Sequence, residues 1–451
     1  MEKIKLFCVS LGCDKNLVDT EKMLGVAGGL GVSFTDDETE ADAILINTCC
    51  FIGDAKEESV NTILEMARYK EEGKCRALIV AGCLAQRYKQ EIIDEIPEVD
   101  AILGTTSYEE IGNVLTRLFG EEKEKKEEHI SCFHDLKELP ETAKKRVMTT
   151  GGHYAFLKIA EGCDKRCSYC IIPYLRGPYR SVPMEQLLAE ARELAENGVR
   201  ELILVAQETT LYGKDLYGEK TLPKLLHELA QIPGIYWIRI QYCYPEEITD
   251  ELIDAIAAEP KVCNYLDIPI QHASDNVLKR MGRRTDQAEL RAIIGKLREK
   301  IPDICLRTTL ISGFPGETQE DFEELYRFVN EMEFDRLGVF PYSQEEDTPA
   351  ATMEDQVPQE VKEFRRDELM ELQQAIAFDK AEDMVGRILT VMIEGKVADE
   401  ETYVARTYRD APNVDGYLFV NTSANLMTGD FVKVLVTDSN EYDLIGEIYH
   451  E

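Results

Sequence analysis

Three cysteines form a compact run at Cys163, Cys167 and Cys170. Cysteine thiolates are the usual ligands of iron–sulfur clusters, and a run of this kind can bind three irons of a 4Fe–4S cubane. The next cysteine along the chain is the distant Cys243, so the fourth iron would stay open for chemistry. The alternative is a zinc site, which takes four ligands and would need His153 as the fourth.

Three further cysteines, Cys13, Cys49 and Cys83, lie far apart in the sequence, yet each follows a predicted N-terminal strand. Parallel strands place their carboxyl ends at one edge of a sheet, where open α/β sheets bind ligands. We therefore predict a shared metal site at that edge, and specifically a second cubane with an open iron. The pattern leaves open whether Cys49 or its neighbour Cys50 is the ligand, and it also leaves open three unrelated buried cysteines.

The elements that must position these cysteines follow from hydrophobic patterning. Short apolar runs alternate with helical stretches over the first 115 or so residues, which predicts an open parallel α/β domain. Six strand candidates between Leu157 and Phe340 alternate with helices, a pattern that favours a partial β/α barrel over the closed eight-stranded form. A long polar helix is expected over Val357 to Met384. Beyond Gly386, short strands separated by glycines predict a small antiparallel β-barrel.

The predicted domain boundaries follow the changes in this pattern. We expect an N-terminal domain over residues 1–120, a charged linker over 121–148, a central α/β core over 149–382 and a small barrel over 383–451. The linker contains the run of charged residues from Glu121 to Glu128, which is typical of a solvated helix end or connection.

The charge balance restricts the class of partner. The chain carries 86 acidic and 51 basic residues, a formal net charge of −35. Extended nucleic-acid binding is disfavoured because it normally requires clustered Lys and Arg; simple solubility or a basic protein partner explains the charge better. No apolar run approaches the roughly 18 residues of a membrane span, and the start has no signal-peptide pattern, so we expect a cytoplasmic location.

The Cys163–Cys170 segment resembles the radical S-adenosylmethionine superfamily. In that superfamily, S-adenosylmethionine chelates the open iron and is cleaved reductively to a radical, and the residue before the third cysteine, here Tyr169, packs near the adenine. Together with the N-terminal cysteines and the C-terminal barrel, the whole chain resembles a methylthiotransferase. The resemblance implies a flavodoxin-like cluster domain, a radical S-adenosylmethionine core, a TRAM barrel and two 4Fe–4S clusters. It assigns Cys13, Cys49 and Cys83 to the auxiliary cluster, which favours Cys49 over Cys50.

Four sequence motifs resemble the RimO type of this family, which modifies an aspartate of ribosomal protein S-twelve. They are Leu11–Asp19, Cys170–Gly177, Asp267–His272 and Phe340–Glu346. The sequence departs from the usual pattern at Asp14, where proline is common, and at Cys50. Residues 385–451 contain twelve acidic and five basic residues, a net charge of −7, which suits a basic ribosomal protein better than tRNA. The alternatives are a tRNA adenosine methylthiotransferase and a non-catalytic iron–sulfur carrier.

The resemblance also implies a mechanism and a set of cofactor contacts. One S-adenosylmethionine would methylate a sulfide at the auxiliary cluster, and a second, cleaved with an electron from an external donor, would generate the radical that removes hydrogen from the aspartate β-carbon. No catalytic side chains are expected beyond the cluster ligands. By family position, Gln207, Arg239 and Gly313 would contact the cofactor, although Arg239 could instead form a structural ion pair and Gly313 could shape a turn.

Overall fold

The structure is a computed structural model that describes residues 4–120, 129–140 and 145–450. The predicted charge block from 121 to 128, and residues 141–144 of the predicted linker, lie outside the described residues. The chain folds into two compact units. The first comprises residues 1–149, 160–182 and 343–351, and the second comprises residues 150–159, 183–342 and 352–451.

The N-terminal segment alternates strands and helices. Its elements are β1 (Lys5–Ser10), α1 (Asp14–Gly29), β2 (Ser33–Phe34), β3 (Ala43–Thr48), α2 (Gly53–Ala67), α3 (Tyr69–Glu72), β4 (Ala77–Gly82), α4 (Cys83–Tyr88), α5 (Gln90–Glu95), β5 (Ala101–Leu103), α6 (Ile111–Phe119) and β6 (Ile130–Cys132).

These strands form a parallel sheet in the order β2-β1-β3-β4-β5-β6. This is the flavodoxin-like order followed by one further strand, which confirms the predicted open α/β domain. Every residue of β3 and β4 is buried, as expected for central strands of a sheet covered on both faces. The short strands β2, β5 and β6 were not predicted, because runs of two or three residues carry no periodic signal.

The central segment contains the second alternation of strands and helices. Its elements are β7 (Tyr154–Lys158), β8 (Ala160–Glu161), α7 (Ile172–Arg176), β9 (Arg180–Ser181), α8 (Met184–Glu196), β10 (Glu201–Val205), α9 (Lys214–Tyr217), α10 (Leu222–Ala230), β11 (Trp237–Ile240), α11 (Asp250–Ala258), β12 (Val262–Asp267), α12 (Asp275–Arg280), α13 (Gln287–Lys300), β13 (Cys305–Ser312), α14 (Gln319–Met332) and β14 (Arg336–Pro341).

Six of these strands form the parallel sheet of the second unit, in the order β14-β13-β12-β11-β10-β7. The sheet is open rather than closed on itself, which confirms the predicted partial β/α barrel. The antiparallel pair β8–β9 and helix α7 belong instead to the first unit. There Ile171 and Leu175 pack in the same apolar cluster as Cys83 and Leu84.

The C-terminal segment consists of a long helix followed by a barrel. Its elements are α15 (Gln359–Glu382), β15 (Ile388–Lys396), β16 (Thr402–Thr407), β17 (Leu418–Asn421), β18 (Phe431–Asn440) and β19 (Asp443–Ile448). The strands close in the order β15-β16-β17-β19-β18. The predicted barrel is confirmed, with two differences: β17 was not predicted, and it pairs with β19 in parallel rather than antiparallel fashion.

The barrel and the central sheet share apolar contacts within the second unit. Trp237 of β11 packs edge-on against Phe431 of β18, with ring centroids 4.9 Å apart. Met392 of β15 lies in the same buried cluster as Trp237 and Tyr265. Across the described ranges, no helix is both long enough and apolar enough to cross a membrane.

Candidate functional site

The three N-terminal cysteines follow strands that end side by side in the first unit. Residue Ser10 of β1 pairs with Asn47 of β3, and Thr48 pairs with Gly82 of β4. Cys49 directly follows Thr48 and Cys83 directly follows Gly82, so the two cysteines leave neighbouring strands at the same level. Cys13 precedes helix α1, three residues after the end of β1. Strand register thus brings the three positions to the carboxyl edge of one parallel sheet.

The environment of the thiols indicates that they lie close together. Cys49 and Cys83 are buried, whereas Cys13 is exposed. Burial raises the pKa of the Cys49 thiol to about 12, and the Cys83 and Cys13 thiols shift this pKa in the same direction. A Cβ added at Gly12 would lie 3.1 Å from the Cys49 sulfur. The glycine therefore allows the main chain before Cys13 to approach Cys49 closely.

Side chains and backbone shape hold these cysteines in place. The Ser59 hydroxyl donates to the carbonyl oxygen of Cys49 at 2.7 Å and accepts from its main-chain N–H at 3.0 Å. Gly82 has a φ of +90°, and a Cβ there would lie 2.2 Å from the Asn47 side-chain oxygen. Only glycine fits this conformation and this space. The turn that leads into Cys83 is therefore built around Gly82.

Cys50, the alternative ligand at this edge, is fully buried in an apolar cluster. Burial raises the pKa of its thiol, and the Cys83 thiol adds to that shift, while the Arg87 guanidinium opposes it. A buried apolar setting is typical of a cysteine that acts as a small hydrophobic residue. Cys83 lies in the same apolar cluster, so burial does not distinguish a ligand from a core cysteine here, and Cys49 as the ligand stays a prediction.

The second set of cysteines lies in the loop between β8 and α7, also in the first unit. Cys163 and Cys167 are buried and Cys170 is half-buried. The main-chain N–H of Cys163 donates to the Gly177 carbonyl at 3.1 Å, and that of Cys170 donates to the Cys167 carbonyl at 3.0 Å. Gly162 has a φ of +81°, and a Cβ there would lie 2.1 Å from the Pro178 carbonyl oxygen. Main-chain hydrogen bonds thus hold the cysteine loop at Cys163, where it begins, and at Cys170, where it ends.

One buried guanidinium links the segments that carry the two sets. The Arg176 side chain donates to Asp19 at 2.7 Å, to Glu161 at 3.2 Å, to the Asn16 side-chain oxygen, and to the Cys83 sulfur at 3.6 Å. Asn16 also donates from its amide to the carbonyl oxygens of Leu11 and Thr48. Asn16 and Arg176 lie within the motifs Leu11–Asp19 and Cys170–Gly177, but the type and spacing of these residues predict no role for either.

Each of the two proposed sites offers three cysteine thiols, the donors by which proteins hold iron–sulfur clusters. Across residues 4–120, 129–140 and 145–450, no group of three or more Cys, His, Asp or Glu side chains is arranged to hold a metal ion. A cubane binds each cysteine through a different iron. The zinc alternative also required His153, whose Nε2 lies 2.8 Å from a Glu394 carboxylate oxygen.

The side chains predicted to contact S-adenosylmethionine fall in both units. Tyr169 lies half-buried in the cysteine loop of the first unit. In the second unit, Gln207 is half-buried two residues after β10, and Gly313 follows β13. The N–H of Gly313 donates to Glu317 at 2.8 Å, and a Cβ at this position would lie 2.3 Å from the Lys362 side chain. Gly313 thus permits close packing of helix α15 at the carboxyl end of β13.

Arg239 has structural partners for its guanidinium. This side chain is fully buried, donates to Glu201 at 2.7 Å and to the Tyr408 carbonyl at 2.6 Å, and lies over the Tyr265 ring. Arg406 of the barrel donates to the other oxygen of Glu201 at 2.7 Å. Burial acts to raise the pKa of Glu201, but the two guanidinium groups outweigh it and the pKa is lowered. These contacts favour the structural interpretation of Arg239 over a cofactor contact.

Three family models match separate parts of the chain. An uncharacterized protein family, UPF0004, matches residues 5–104. The radical SAM superfamily matches residues 157–329, and the TRAM domain matches residues 385–448. The first two matched ranges contain the N-terminal and the central cysteine set respectively.

Solved structures share this architecture at low sequence identity. A radical S-adenosylmethionine methyltransferase, TsrM from Kitasatospora setae, superposes with a TM-score of 0.55 at 12% identity, covering 90% of this chain and 81% of that chain. A cobalamin-dependent S-adenosylmethionine radical enzyme, OxsB, gives a TM-score of 0.53 at 14% identity, covering 83% of this chain and 56% of that chain. At these identities the similarity establishes the fold alone.

Curated relatives match over the full length at much higher identity. The ribosomal protein uS12 methylthiotransferase RimO of Lachnoclostridium phytofermentans is 63% identical over 98% of this chain and 99% of its own length. The protein of the same name from Acetivibrio thermocellus is 51% identical over 100% of this chain and 99% of its own length. Sequence identity this high over the full length of both chains reflects common ancestry. The chain belongs to the RimO family of radical S-adenosylmethionine methylthiotransferases.

Proposed function

We propose that this protein transfers a methylthio group to the β-carbon of an aspartate in ribosomal protein S-twelve. The observation that carries the proposal is the 63% identity, over nearly the whole of both chains, to a relative named for action on that ribosomal protein. The presence of two cysteine sets in one compact unit supports sulfur transfer rather than radical chemistry alone.

The six cysteines are proposed to hold two 4Fe–4S clusters, one through Cys163, Cys167 and Cys170 and an auxiliary one through Cys13, Cys49 and Cys83. When bound, these clusters and S-adenosylmethionine supply the radical and the sulfur that an unactivated C–H bond requires. The chain itself binds and orients: strand ends and glycines set the cysteine positions, and buried Asn16 and Arg176 tie the two segments together. No carboxylate or histidine needs to act as a general acid or base.

The cofactor contacts proposed for S-adenosylmethionine are Tyr169, Gln207 and Gly313. A half-buried aromatic ring directly before Cys170 is suited to packing against adenine. Gln207 and Gly313 follow parallel strands at the carboxyl edge of the sheet, where such folds place their ligands. Arg239 is proposed as a structural residue because its donors are occupied by Glu201 and Tyr408.

Charge supports a basic protein as the substrate. The C-terminal barrel region carries a net charge of −7. Arg406 and Arg409 of this region pair with buried carboxylates outside it, Arg406 with Glu201 and Arg409 with Asp335, at 2.7 Å each. An acidic surface accelerates encounter with a basic ribosomal protein and repels tRNA phosphates. We accordingly place the enzyme in the cytoplasm with its ribosomal substrate, and assign it an external electron donor.

The three matched family ranges support the proposed domain organisation. We propose a cluster domain over residues 1–120, a linker over 121–148, a radical core over 149–382 and a TRAM domain over 383–451. The ranges matched by the family models, 5–104, 157–329 and 385–448, each fall inside one of these domains.

The experiment is a direct comparison of substrates. The anaerobically reconstituted full chain is incubated with S-adenosylmethionine, a reductant and either ribosomal protein S-twelve or tRNA, and products are analysed by mass spectrometry. We expect a methylthio gain on one aspartate of the protein, none on tRNA nucleosides, and none with a Cys163→Ala, Cys167→Ala, Cys170→Ala chain. A gain on tRNA alone would contradict the proposed substrate, and failure to cleave S-adenosylmethionine would favour an iron–sulfur carrier.

A further inference from the structure

Arg176 is a buried cation whose partners belong to both cysteine-bearing regions of the first unit. Only 2% of Arg176 is exposed, and its acceptors Asp19, Glu161 and Asn16 are buried to a similar degree. Glu161 lies two residues before Cys163. A fully desolvated guanidinium is retained only where several acceptors compensate the loss of water. The Arg176 guanidinium therefore depends on these three acceptors for its buried position.

The contacts divide into two groups with different consequences. Nη1 donates to the carboxylates of Asp19 at 2.7 Å and Glu161 at 3.2 Å, which fix the plane of the guanidinium. Nη2 donates to the Asn16 side-chain oxygen and to the Cys83 sulfur at 3.6 Å. The planar fork of arginine makes this division possible, because its donors keep fixed directions. The carboxylates thus aim a positively charged N–H group at one proposed cluster ligand.

A hydrogen bond to a ligand sulfur is one of the factors that set the potential of an iron–sulfur cluster. Reduction adds negative charge to the cluster, so a donor and a positive charge beside a ligand sulfur favour the reduced form. Carboxylates nearby act in the opposite direction. With one guanidinium and two carboxylates, the group formed by Arg176, Asp19 and Glu161 has a net charge of −1. The sulfur hydrogen bond and the group's net charge can therefore be varied separately.

We propose that Arg176 is a positioning residue that raises the reduction potential of the auxiliary cluster by donating to the Cys83 sulfur, while Asp19 and Glu161 hold its guanidinium in place. The inference rests on the proposed function, because it takes Cys83 as an auxiliary-cluster ligand. It goes further by assigning this cluster a potential set by a side chain from the segment that follows the other cysteine set.

The test measures the midpoint potential of the auxiliary cluster by spectroscopically monitored redox titration. The full chain is used with the other set removed by the substitutions Cys163→Ala, Cys167→Ala and Cys170→Ala. In this background, Arg176→Gln combined with Asp19→Asn keeps the local net charge but removes the sulfur hydrogen bond. We expect the ratio of reduced to oxidised cluster at a fixed potential to fall about tenfold, a shift of about 59 mV for a one-electron couple. Asp19→Asn alone removes a negative charge and is expected to shift the potential the opposite way.

A matched control is the ion pair of Arg146 with Glu21, which lies on α1 as Asp19 does. Arg146 donates to the buried Glu21 at 2.7 Å, and Glu21 lies two positions after Asp19 on α1. The charge-matched pair of substitutions Arg146→Gln and Glu21→Gln is expected to leave the potential unchanged. A role that is merely structural would affect the two pairs of substitutions alike, and would not give shifts of opposite sign for Asp19→Asn and the Arg176 variant.

Iron content separates the possible outcomes. If the background chain binds no cluster, the proposed auxiliary site fails and this inference fails with it. If the variant retains about four irons and its potential equals that of the background chain, this inference alone is overturned. Should the double variant lose iron, Arg176→Gln alone is titrated in the same background. It removes both the positive charge and the sulfur hydrogen bond, and each loss lowers the potential, so an unchanged potential there also overturns the inference.

Discussion

Replacing Glu201 with glutamine removes a carboxylate shared by two buried arginines in the second unit. Glu201 accepts from Arg239 and Arg406 at 2.7 Å each, and all three side chains are fully buried. Glutamine has nearly the same shape, but it offers one oxygen and turns an NH₂ group toward the second guanidinium. The substitution therefore leaves uncompensated positive charge at the contact between the central sheet and the barrel.

The expected cost is large for a single substitution. Breaking a buried ion pair by removing one partner destabilises a protein by about 3–5 kcal/mol. For a unit of this size, each kcal/mol lowers the melting temperature by about 2–4 °C. We therefore expect the melting transition of the second unit to fall by on the order of 10 °C.

The single tryptophan of the chain provides the assay. Trp237 lies on β11 beside Arg239 and packs against Phe431 of the barrel. Its fluorescence during thermal or guanidinium unfolding reports on this region directly. The control is Asp250→Asn on α11, which breaks an exposed pair with Lys296 at 2.6 Å and is expected to cost under about 1 kcal/mol.

The pH dependence adds a second criterion. The pKa of Glu201 is lowered in the folded state, so its contribution is complete above the ordinary carboxyl pKa of about 4.3 and is lost as the pH falls through the lower folded value. The difference in free energy of unfolding between the parent chain and the Glu201→Gln variant should thus be the same at pH 6 and at pH 8. It should become smaller only at acidic pH. A variant within about 0.5 kcal/mol of the parent at pH 7 would refute the reasoning.

Three further predictions concern the N-terminal site. Gly82→Ala places a Cβ 2.2 Å from the Asn47 oxygen at a φ of +90°, so we expect loss of about four of eight irons per chain in iron and sulfide analysis; full iron content would contradict the role of this turn. Ser59→Ala removes both hydrogen bonds to Cys49 and should cost about 1–3 kcal/mol in denaturant unfolding, a loss that Ser59→Thr should partly avoid. Cys49→Ala should lose one cluster whereas Cys50→Ala should keep both, and equal iron loss in the two would argue against the assignment.

Much of the site's position could be predicted because it depends on local pattern. Buried strands such as β3 and β4 appear as continuous apolar runs, and parallel strands necessarily bring their ends to one edge. Cys49 and Cys83 are therefore expected next to each other, and the pairing of Thr48 with Gly82 agrees with that expectation. The short edge strands and β17 could not be predicted in the same way, because their few residues derive their conformation from neighbouring strands rather than from their own periodicity.

The amino-acid sequence by itself determined the chemistry available to this protein: thiolates in two sets of three, parallel strands to position one of them, and an acidic charge balance. Only the tertiary structure decided which charged side chains serve that chemistry. Arg176 reaches Asp19 across 157 positions of sequence, and Arg406 reaches Glu201 across 205. Such pairs carry no local signal, because each side chain is stable in its buried position only when the distant partner arrives to compensate its charge. For this reason Arg239, a candidate cofactor contact by position, is engaged with Glu201, and Arg176, an unassigned motif residue, donates to the Cys83 sulfur.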